Sequence, residues 1–356
     1  MLVRRPERDG VWTAEDDGSA VAWKSPAGSV TLVREPWRIE FRGPDGRLLT
    51  ATHAKADGKA LQNTDPLPFQ FARRASDGRR TFGAAFSLSP DEKIFGCGES
   101  FTRLDKRGQR LVLWTSDALG VQTGGMYKPV PFFLSSRGYG MFVHTSAPVT
   151  FDFGRAYDGA TTIATPGGTL DLFFFFGDPK EVLEAYTSFT GRSPVPPLWS
   201  FGLWMSRLTY RSEEETRAVA RRLRDERIPC DVIHLDTGWF ETEWRCDYRF
   251  SPSRFPDAKG MLSELRKDGF RVSVWQLPYA NPNNPLHREM IEKGFAVRGP
   301  DGHTPAGDAV IDFSNPDAVK WYQNLLAGLL ETGVSAIKAD FGEAAPFDGA
   351  YASDRS

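Results

Sequence analysis

The chain has 356 residues, of which 40% are hydrophobic and 13% aromatic, and it carries a formal net charge of −2. This hydrophobic fraction excludes a wholly disordered chain, and the near-neutral charge without like-charge runs argues against nucleic acid or an anionic membrane surface as a partner. Three cysteines, Cys97, Cys230 and Cys246, are too few for a disulfide framework and fit a reducing, cytoplasmic compartment. The first ten residues contain no apolar stretch, so we expect no secretory signal peptide.

Residues 1–192 are predicted to form an antiparallel β-sandwich. Turn signals such as GPDG, SDG and SRGYG separate short runs rich in β-branched and aromatic residues, including GSVTLV, TFGAAFSL, RLVLWTS and YGMFVHTS. Short strands between turns, without clear helices, are typical of two packed antiparallel sheets. The apolar run LDLFFFFG at 170–177 is too short to span a bilayer and predicts a strand buried on both faces.

The segment SPVPPLW at 193–199 marks a domain boundary, because its closely spaced prolines cannot continue a helix or a sheet ladder. After it, short apolar strands alternate with helices. The predicted strands are SFGLWMS, CDVIHLD, FRVSVWQLP and VSAIKAD. One helix is predicted to begin at the capping box of Ser212 and Glu215, a second covers FPDAKGMLSELRKDGF, and a third runs from the N-cap Asn315 to the C-terminal cap Gly333.

This alternation predicts a parallel sheet, which could belong to a doubly wound fold or to a (β/α)8 barrel. No GxGxxG and no GxxxxGK(S/T) sequence follows a strand, which weighs against a nucleotide-binding sheet. A complete barrel takes roughly 250 residues. If residues 193–356 form a barrel, only about four of its eight strands are present.

Charged residues end two of the predicted strands. Side chains alternate along a strand, so Lys338 and Asp340 point to one side of the sheet, and His234 and Asp236 also share a side. Each aspartate is the last residue of an apolar strand, where parallel sheets and barrels present functional groups. From position alone, capping of the following turn is an equally good explanation for each aspartate.

The residue types favour sugar chemistry over metal or serine chemistry. The sequence contains no HExxH, CxxC or GxSxG, and its five histidines show no ligand spacing, so we expect no metal and no cofactor. Carboxylates bind hydroxyl groups, tryptophan stacks on sugar rings, and glycoside hydrolysis uses two carboxyl groups. A carbohydrate is therefore the expected partner, and formation of a homo-oligomer is left open.

From about residue 94 onwards the sequence strongly resembles glycoside hydrolase family 31, the retaining α-glucosidases and α-xylosidases. IFGCGESFTRLDKRGQ is similar to the N-terminal sandwich signature of the family, and TGRSPVPPLWSFGLWMSR is similar to the start of its barrel. VIHLDTGWF resembles the second barrel strand and IKADFGE the fourth. The resemblance implies an N-terminal antiparallel β-sandwich followed by the first half of a (β/α)8 barrel.

The resemblance also implies roles for individual residues. Asp340 matches the nucleophile of a double displacement, and Lys338 and Asp236 match residues that line the sugar site. Trp275 matches an aromatic wall of the same subsite, and Asp117, in LWTSDALG, matches a sandwich-loop residue on the leaving-group side.

Arg207 is matched to a residue that faces the same site. Glu343 is expected to hold the loop after Asp340 rather than to take part in the chemistry.

Two features depart from the family pattern. The acid/base carboxylate of the family lies on later barrel strands, so we expect this chain on its own to be inactive. Thr237 and Gly238 stand where xylosidases carry Cys-Phe and glucosidases Ile-Trp. The implied function is a retaining, exo-acting α-glycosidase acting on a small oligosaccharide or α-glycoside, with α-xylosides favoured over α-glucosides. A non-catalytic carbohydrate-binding homologue, an α-transglycosylase and a sulfoquinovosidase-like enzyme remain alternatives.

Overall fold

Short runs of β-branched and aromatic residues between glycine-containing turns form the strands of the first part of the chain, as their composition predicts. The computed structural model describes residues 2–3, 11–52, 66–116, 118, 123–304, 306–346 and 348–353. The chain is divided into two units, Met1–Ser193 and Pro194–Ser356.

The described part of the first unit is built from antiparallel sheets. Its strands are β1 (Thr13–Asp16), β2 (Ala20–Ser25), β3 (Gly28–Val33), β4 (Arg38–Arg42), β5 (Leu48–Ala51), β6 (Phe69–Arg73), β7 (Arg80–Ser87), β8 (Ile94–Gly98), β9 (Arg110–Leu113), β10 (Pro129–Ser135), β11 (Tyr139–Val143), β12 (Val149–Phe153), β13 (Ala160–Pro166) and β14 (Leu172–Phe176). The strand orders of the sheets are β1-β2-β3-β4-β5, β14-β11-β10-β8 and β6-β7-β13-β12-β9.

The sheets containing β10 and β12 pack face to face around an aromatic core. Phe133 of β10 lies edge-on to Phe151 and Phe153 of β12, with ring centroids 5.5 and 5.1 Å apart. All three side chains are fully buried, and each such burial contributes roughly 1.5–3 kcal/mol. The expected β-sandwich is confirmed.

The phenylalanines of β14 contact both faces of its sheet. Phe174 stacks on Phe41 at 4.0 Å between ring centroids, and Phe175 lies edge-on to Phe132 on the opposite face at 6.3 Å. Because β14 is an edge strand, most of its residues are only half-buried. The strand expected to be buried on both faces thus packs on both faces, but most of its residues keep part of their surface exposed.

One α-helix that the sequence analysis did not predict, α1 (Pro179–Thr190), packs on this sandwich. Its N-terminus has a capping box, in which the Asp178 side chain accepts hydrogen bonds from backbone N–H groups and the Glu181 side chain accepts one from the Asp178 N–H. Val182 of the helix is fully buried. A β-carbon added at Gly140 of β11 would stand 2.5 Å from Val182 Cγ1, so the helix approaches the sheet closely only because this residue is glycine.

The second unit alternates strands and helices. Its described elements are β15 (Trp204–Ser206), α2 (Glu213–Asp225), β16 (Val232–Leu235), α3 (Ala258–Lys267), β17 (Arg271–Gln276), β18 (Tyr279–Ala280), α4 (Pro285–Glu292), β19 (Ala309–Val310), α5 (Pro316–Thr332) and β20 (Ala336–Ala339), with short 3-10 helices at Leu198–Phe201 and Thr237–Trp239. A parallel sheet has the order β15-β16-β17-β20, and β18 pairs with β19 in a small antiparallel ribbon. The predicted parallel sheet is confirmed.

The helix boundaries follow the capping signals in the sequence. The Ser212 side chain accepts a hydrogen bond from the Glu215 N–H at the start of α2, and the Asn315 side chain caps α5, which ends at Gly333. Helix α4, with the N-cap Asn284, was not predicted. In the part of the chain that the structure describes, none of the helices is long and apolar enough to cross a membrane.

Candidate active site

The register of the parallel sheet brings the polar strand ends together. His234 of β16 pairs with Ser273 of β17, which pairs with Ala336 of β20, so these three residues lie at one level. Two residues further along, Trp275 pairs with Lys338. Residues at one level of a parallel sheet point to the same side, and residues two apart on a strand share a face. The carboxyl ends of the strands therefore present a single face, from which Asp236, Lys338 and Asp340 project.

Asp236 is the most buried carboxylate of this group, with 16% of its side chain exposed. Its Oδ2 atom lies 2.9 Å from His234 Nε2 and 3.2 Å from Lys338 Nζ, and its Oδ1 accepts the Thr237 N–H. Burial raises the pKa of Asp236, but the hydrogen bond from His234 and the charge of Lys338 outweigh it, so the pKa is lower than usual. Asp236 is therefore ionised at neutral pH.

His234 adopts a defined orientation beneath Asp236. Its Nδ1 lies 3.1 Å from the hydroxyl of Ser273, which is fully buried. When the Ser273 hydroxyl donates to Nδ1, the neutral imidazole carries its proton on Nε2 and donates it to Asp236. A neutral His234 thus satisfies both of its neighbours. The alternation of side chains along β16 is the sequence signal for this pair, although His234 was not predicted as a site residue.

Lys338 bridges the two aspartates. Its Nζ lies 3.2 Å from Asp236 Oδ2 and 3.1 Å from Asp340 Oδ2. Partial burial lowers the pKa of Lys338, but the hydrogen bond to Asp340 and the charge of Asp236 raise it more, so the pKa lies above its ordinary value. The cation therefore remains charged between the two carboxylates.

Asp340 is held by one backbone acceptor and two side-chain donors. Its backbone N–H donates to the Gln276 carbonyl at 3.0 Å, one residue beyond the last paired residue of β20. Its Oδ2 accepts hydrogen bonds from Trp275 Nε1 at 2.7 Å and from Lys338 Nζ at 3.1 Å. Among the described residues, Asp340 Oδ1 has no hydrogen-bond partner. One carboxylate oxygen is thus fixed, and the other forms no hydrogen bond within the described part of the chain.

The resemblance matches Trp275 to an aromatic wall of the sugar subsite, but the structure leaves no part of its ring exposed. Its side chain is completely buried, because Trp244 and Phe341 lie edge-on to it at 5.5 and 6.3 Å between ring centroids. The indole N–H of Trp275 donates a hydrogen bond to Asp340 in this site. The aromatic surface that remains exposed here belongs to Trp244 and Phe341, with 51% and 46% of each residue accessible.

Both exposed aromatic residues depend on an unusual backbone conformation. Trp244 and Phe341 have φ angles of 70° and 61°, in the left-handed region that side chains with a β-carbon rarely adopt. Neither conformation is encoded by a glycine, so no signal in the sequence could have predicted which tryptophan is covered and which is exposed.

Of the two remaining candidate site residues, the structure describes Arg207 but not Asp117. Arg207 directly follows β15, at the same end of the sheet as the aspartates, but its guanidinium forms an ion pair with Glu215 at 2.6 Å and lies 5.8 Å from the centre of the Tyr210 ring. No contact of Arg207 with Asp236 or Asp340 occurs among the described residues. Asp117 lies outside the described residues.

The sequence analysis expects Glu343 to hold the loop after Asp340, and the structure shows that it does not. The Glu343 side chain is exposed and forms no hydrogen bond or ion pair with any other described residue. Tyr279 of β18 holds the loop instead, because its hydroxyl accepts hydrogen bonds from the Gly342 and Ala344 N–H groups. Within the described ranges, no group of three or more His, Cys, Asp or Glu side chains is arranged to hold a metal ion.

Two protein-family models match most of the chain. Residues 193–356 match the model of the glycosyl hydrolases family 31 TIM-barrel domain, and residues 3–152 match that of the glycosyl hydrolase 31 N-terminal galactose mutarotase-like domain. The chain belongs to glycoside hydrolase family 31. The parallel sheet that carries Asp236 and Asp340 is therefore part of the family 31 barrel domain.

Two curated relatives in family 31 are α-xylosidases. The α-xylosidase XylQ of Lactiplantibacillus pentosus is 40% identical over 270 residues, covering 73% of this chain and 35% of the relative. An α-xylosidase of Emericella nidulans is 34% identical over 273 residues, covering 74% of this chain and 35% of the relative. The family 31 chain thus spans about a third of the length of these curated relatives.

A solved structure in the family has the same fold. The family 31 dextranase of Flavobacterium johnsoniae, in complex with glucose, superposes with a TM-score of 0.81 and 26% sequence identity, covering 93% of this chain and 40% of the dextranase. The fold class expected from the sequence, a β-sandwich followed by a (β/α)8 barrel domain, is therefore confirmed.

Proposed function

We propose that the protein containing this chain is a retaining, exo-acting α-glycosidase that uses Asp340 as its nucleophile and prefers α-xylosides to α-glucosides. The observation that carries the proposal is the cluster of Asp236, Lys338 and Asp340 at the carboxyl ends of adjacent parallel strands. The preference for xylosides is supported by the identity to two α-xylosidases.

The first step is attack by Asp340 Oδ1 on the anomeric carbon. Trp275 and Lys338 hold Oδ2, so the attacking oxygen points away from both donors. The bond from the anomeric carbon to the leaving oxygen breaks through an oxocarbenium-like transition state, and the sugar becomes esterified to Asp340. Water then attacks the same carbon and releases the sugar with its original anomeric configuration.

Asp236 binds the sugar in this proposal and does not supply the proton. A general acid must be protonated before it can act, and Asp236 has a lowered pKa. An ionised carboxylate instead accepts hydrogen bonds from sugar hydroxyls, each contributing about 1.5–3 kcal/mol. Lys338 lines the same site. The acid is then a second carboxylic acid, about 5–5.5 Å from the nucleophile in retaining enzymes.

The remaining predicted residues have supporting roles. We propose Trp275 as a donor that orients Asp340. For Arg207 and Asp117 we retain the roles that the resemblance implies, at the edge of the sugar site and on the leaving-group side.

A reducing compartment, such as the cytoplasm, is supported by the three cysteines, which are buried and unpaired. Burial raises the pKa of the Cys97 and Cys246 thiols to about 12, so neither is a reactive thiolate.

The nucleophile is tested by replacing Asp340 with alanine in the full-length gene product. Turnover of aryl α-xyloside should be abolished, because no covalent intermediate can form. A mechanism-based fluorinated α-xylosyl fluoride should label the wild-type protein on the peptide that contains Asp340, as measured by mass spectrometry. A label on Asp236, or turnover by Asp340→Ala, would overturn the assignment.

The same assay distinguishes the alternatives for substrate and reaction. Comparison of kcat/KM for aryl α-xyloside, aryl α-glucoside and an α-sulfoquinovoside gives the sugar preference. Product analysis at high substrate concentration separates hydrolysis from transfer to a second sugar. Sugar binding without turnover would identify a non-catalytic homologue.

A further inference from the structure

The residue that follows the proposed nucleophile has a strained backbone. Phe341 has a φ angle of 61° and the next residue, Gly342, has a φ angle of 122°. Glycine adopts positive φ angles freely, but phenylalanine does not, so surrounding contacts must hold Phe341 in place. Its neighbour Asp340 is the side chain whose position the chemistry requires to be accurate.

The contacts that hold this loop come from Tyr279. Its hydroxyl oxygen accepts the Gly342 N–H at 2.5 Å and the Ala344 N–H at 3.1 Å. Its ring also lies 6.4 Å from the ring of Phe341 between centroids. The hydroxyl therefore takes the place of a backbone acceptor for two amides of one tight turn.

Tyr279 is itself firmly anchored. It lies in β18, only three residues after β17 ends at Gln276, and it pairs with Val310 of β19. The Gln276 carbonyl accepts the Asp340 N–H. The segment 276–279 thus accepts hydrogen bonds from the backbone N–H of Asp340 and from those of Gly342 and Ala344.

We propose that Tyr279 is a positioning residue for Asp340, acting through the loop 341–344. The inference rests on the proposed role of Asp340 as nucleophile. With the hydroxyl present, the strained turn is fixed and Asp340 Oδ1 stays aligned with the anomeric carbon. Without it, the turn has no acceptor for two amides and the carboxylate samples orientations that cannot react. The loss of activity should appear in the rate of the chemical step rather than in substrate binding.

The test is Tyr279→Phe in the full-length gene product, which removes the oxygen and keeps the ring. We expect kcat for the best aryl α-glycoside to fall by about 10- to 100-fold, the size expected for a misplaced reacting group, with KM changed by less than about twofold. The rate constant for labelling of Asp340 by the fluorinated glycosyl fluoride should fall by the same factor. Hydrogen exchange of peptides containing Gly342 and Ala344 should become faster.

The matched control is Tyr210→Phe. The Tyr210 hydroxyl is buried and has no hydrogen-bond partner among the described residues, so its removal should leave kcat unchanged. The melting temperature of both variants verifies that they are folded. If Tyr279→Phe fails to fold, tyrosine fluorinated on the ring at position 279 keeps the shape and makes the oxygen a poorer acceptor, and kcat should still fall.

Two results would overturn the inference. One is a folded Tyr279→Phe variant with wild-type kcat and labelling rate, and the other is a variant in which only KM rises. Failure of the proposed function looks different, because turnover by Asp340→Ala, or a label on another residue, would occur whatever the behaviour of Tyr279→Phe.

Discussion

Lys338 lies between two carboxylates, and together with His234 it lowers the pKa of Asp236. The folded pKa of Asp236 lies below its unfolded value, so ionised Asp236 stabilises the fold above about pH 4, and this stabilisation is lost as the pH falls through the folded pKa. The pKa of Lys338 is raised, so its contribution is complete below about pH 10 and is lost as the pH rises through the folded value. The ion cluster is therefore intact across the neutral range.

Replacing Lys338 with methionine should move the acid limb of the pH profile. Asp236 would keep the desolvation that raises its pKa and lose the cation that helps to lower it. We therefore expect the acid limb of kcat/KM to shift to higher pH, since this profile reports groups of the free enzyme. Lys338→Arg, which keeps the charge, is the control and should shift it less. An unchanged acid limb in Lys338→Met would contradict this account.

At the level of single residues, the sequence predicts the face of the sheet on which a side chain lies better than it predicts whether that side chain is buried. Strand alternation places Lys338 and Asp340 on one face, and the contact between them follows from it. The family resemblance implies that Trp275 lines the same site, and the register of the sheet pairs it with Lys338. The resemblance could not reveal that Trp275 is covered, because the cover comes from Trp244 and Phe341 in left-handed conformations.

At the level of elements, the contact between α1 and β11 depends on Gly140. A β-carbon at this position would stand 2.5 Å from Val182 Cγ1 and 3.2 Å from the ring of Phe132. Gly140→Ala should therefore destabilise the protein by about 1–3 kcal/mol, the usual cost of overpacking a core. Thermal unfolding followed by tryptophan fluorescence measures the change.

The control for Gly140→Ala is Gly159→Ala in the same unit. A β-carbon at exposed Gly159 meets nothing within 4 Å and its φ is not in the left-handed region. This substitution should change the free energy of unfolding by less than about 0.5 kcal/mol. Equal effects of the two alanines would show that the close approach of α1 to β11 is unimportant.

Three of the five described helices, α2, α3 and α5, were predicted from the sequence. Helix α5 has an N-cap asparagine, a proline in the first turn and a glycine after the last turn, and its bounds were found correctly. Helix α4 has the same asparagine and proline but only eight residues, too few to show a helical periodicity. Helix α1 begins with a complete capping box, but its sequence directly follows the strands of a β-rich segment, which masks the signal.

At the level of the whole molecule, the connection between the two units is exposed. Residues 192–198 are all exposed, and Val195 and Leu198 keep 92% and 87% of their surface accessible. Exposed segments without regular structure are preferred sites of proteolysis. Low concentrations of trypsin should therefore cleave after Arg192 before they cleave within α2, where Arg217 forms ion pairs with Glu213 and Glu264.

Mass spectrometry of the first fragments checks this expectation, and Arg192→Gln, which removes the cleavage site, is its control. Earlier cleavage inside α2 than after Arg192 would contradict it. The composition change at SPVPPLW predicts a boundary here, because closely spaced prolines cannot continue a helix or a sheet ladder. It could not distinguish a doubly wound sheet from a barrel, since both begin with the same alternation of strands and helices.

The two donors on Asp340 Oδ2 also determine how the reaction can end. Once Oδ1 has bonded to the sugar in the proposed mechanism, Oδ2 becomes the carbonyl oxygen of an ester, still within reach of Trp275 Nε1 and Lys338 Nζ. Donors on that oxygen draw electrons from the bond to the sugar and make the carboxylate a better leaving group. In the proposed mechanism, the contacts that orient Asp340 at rest should therefore also shorten the lifetime of the glycosyl-enzyme.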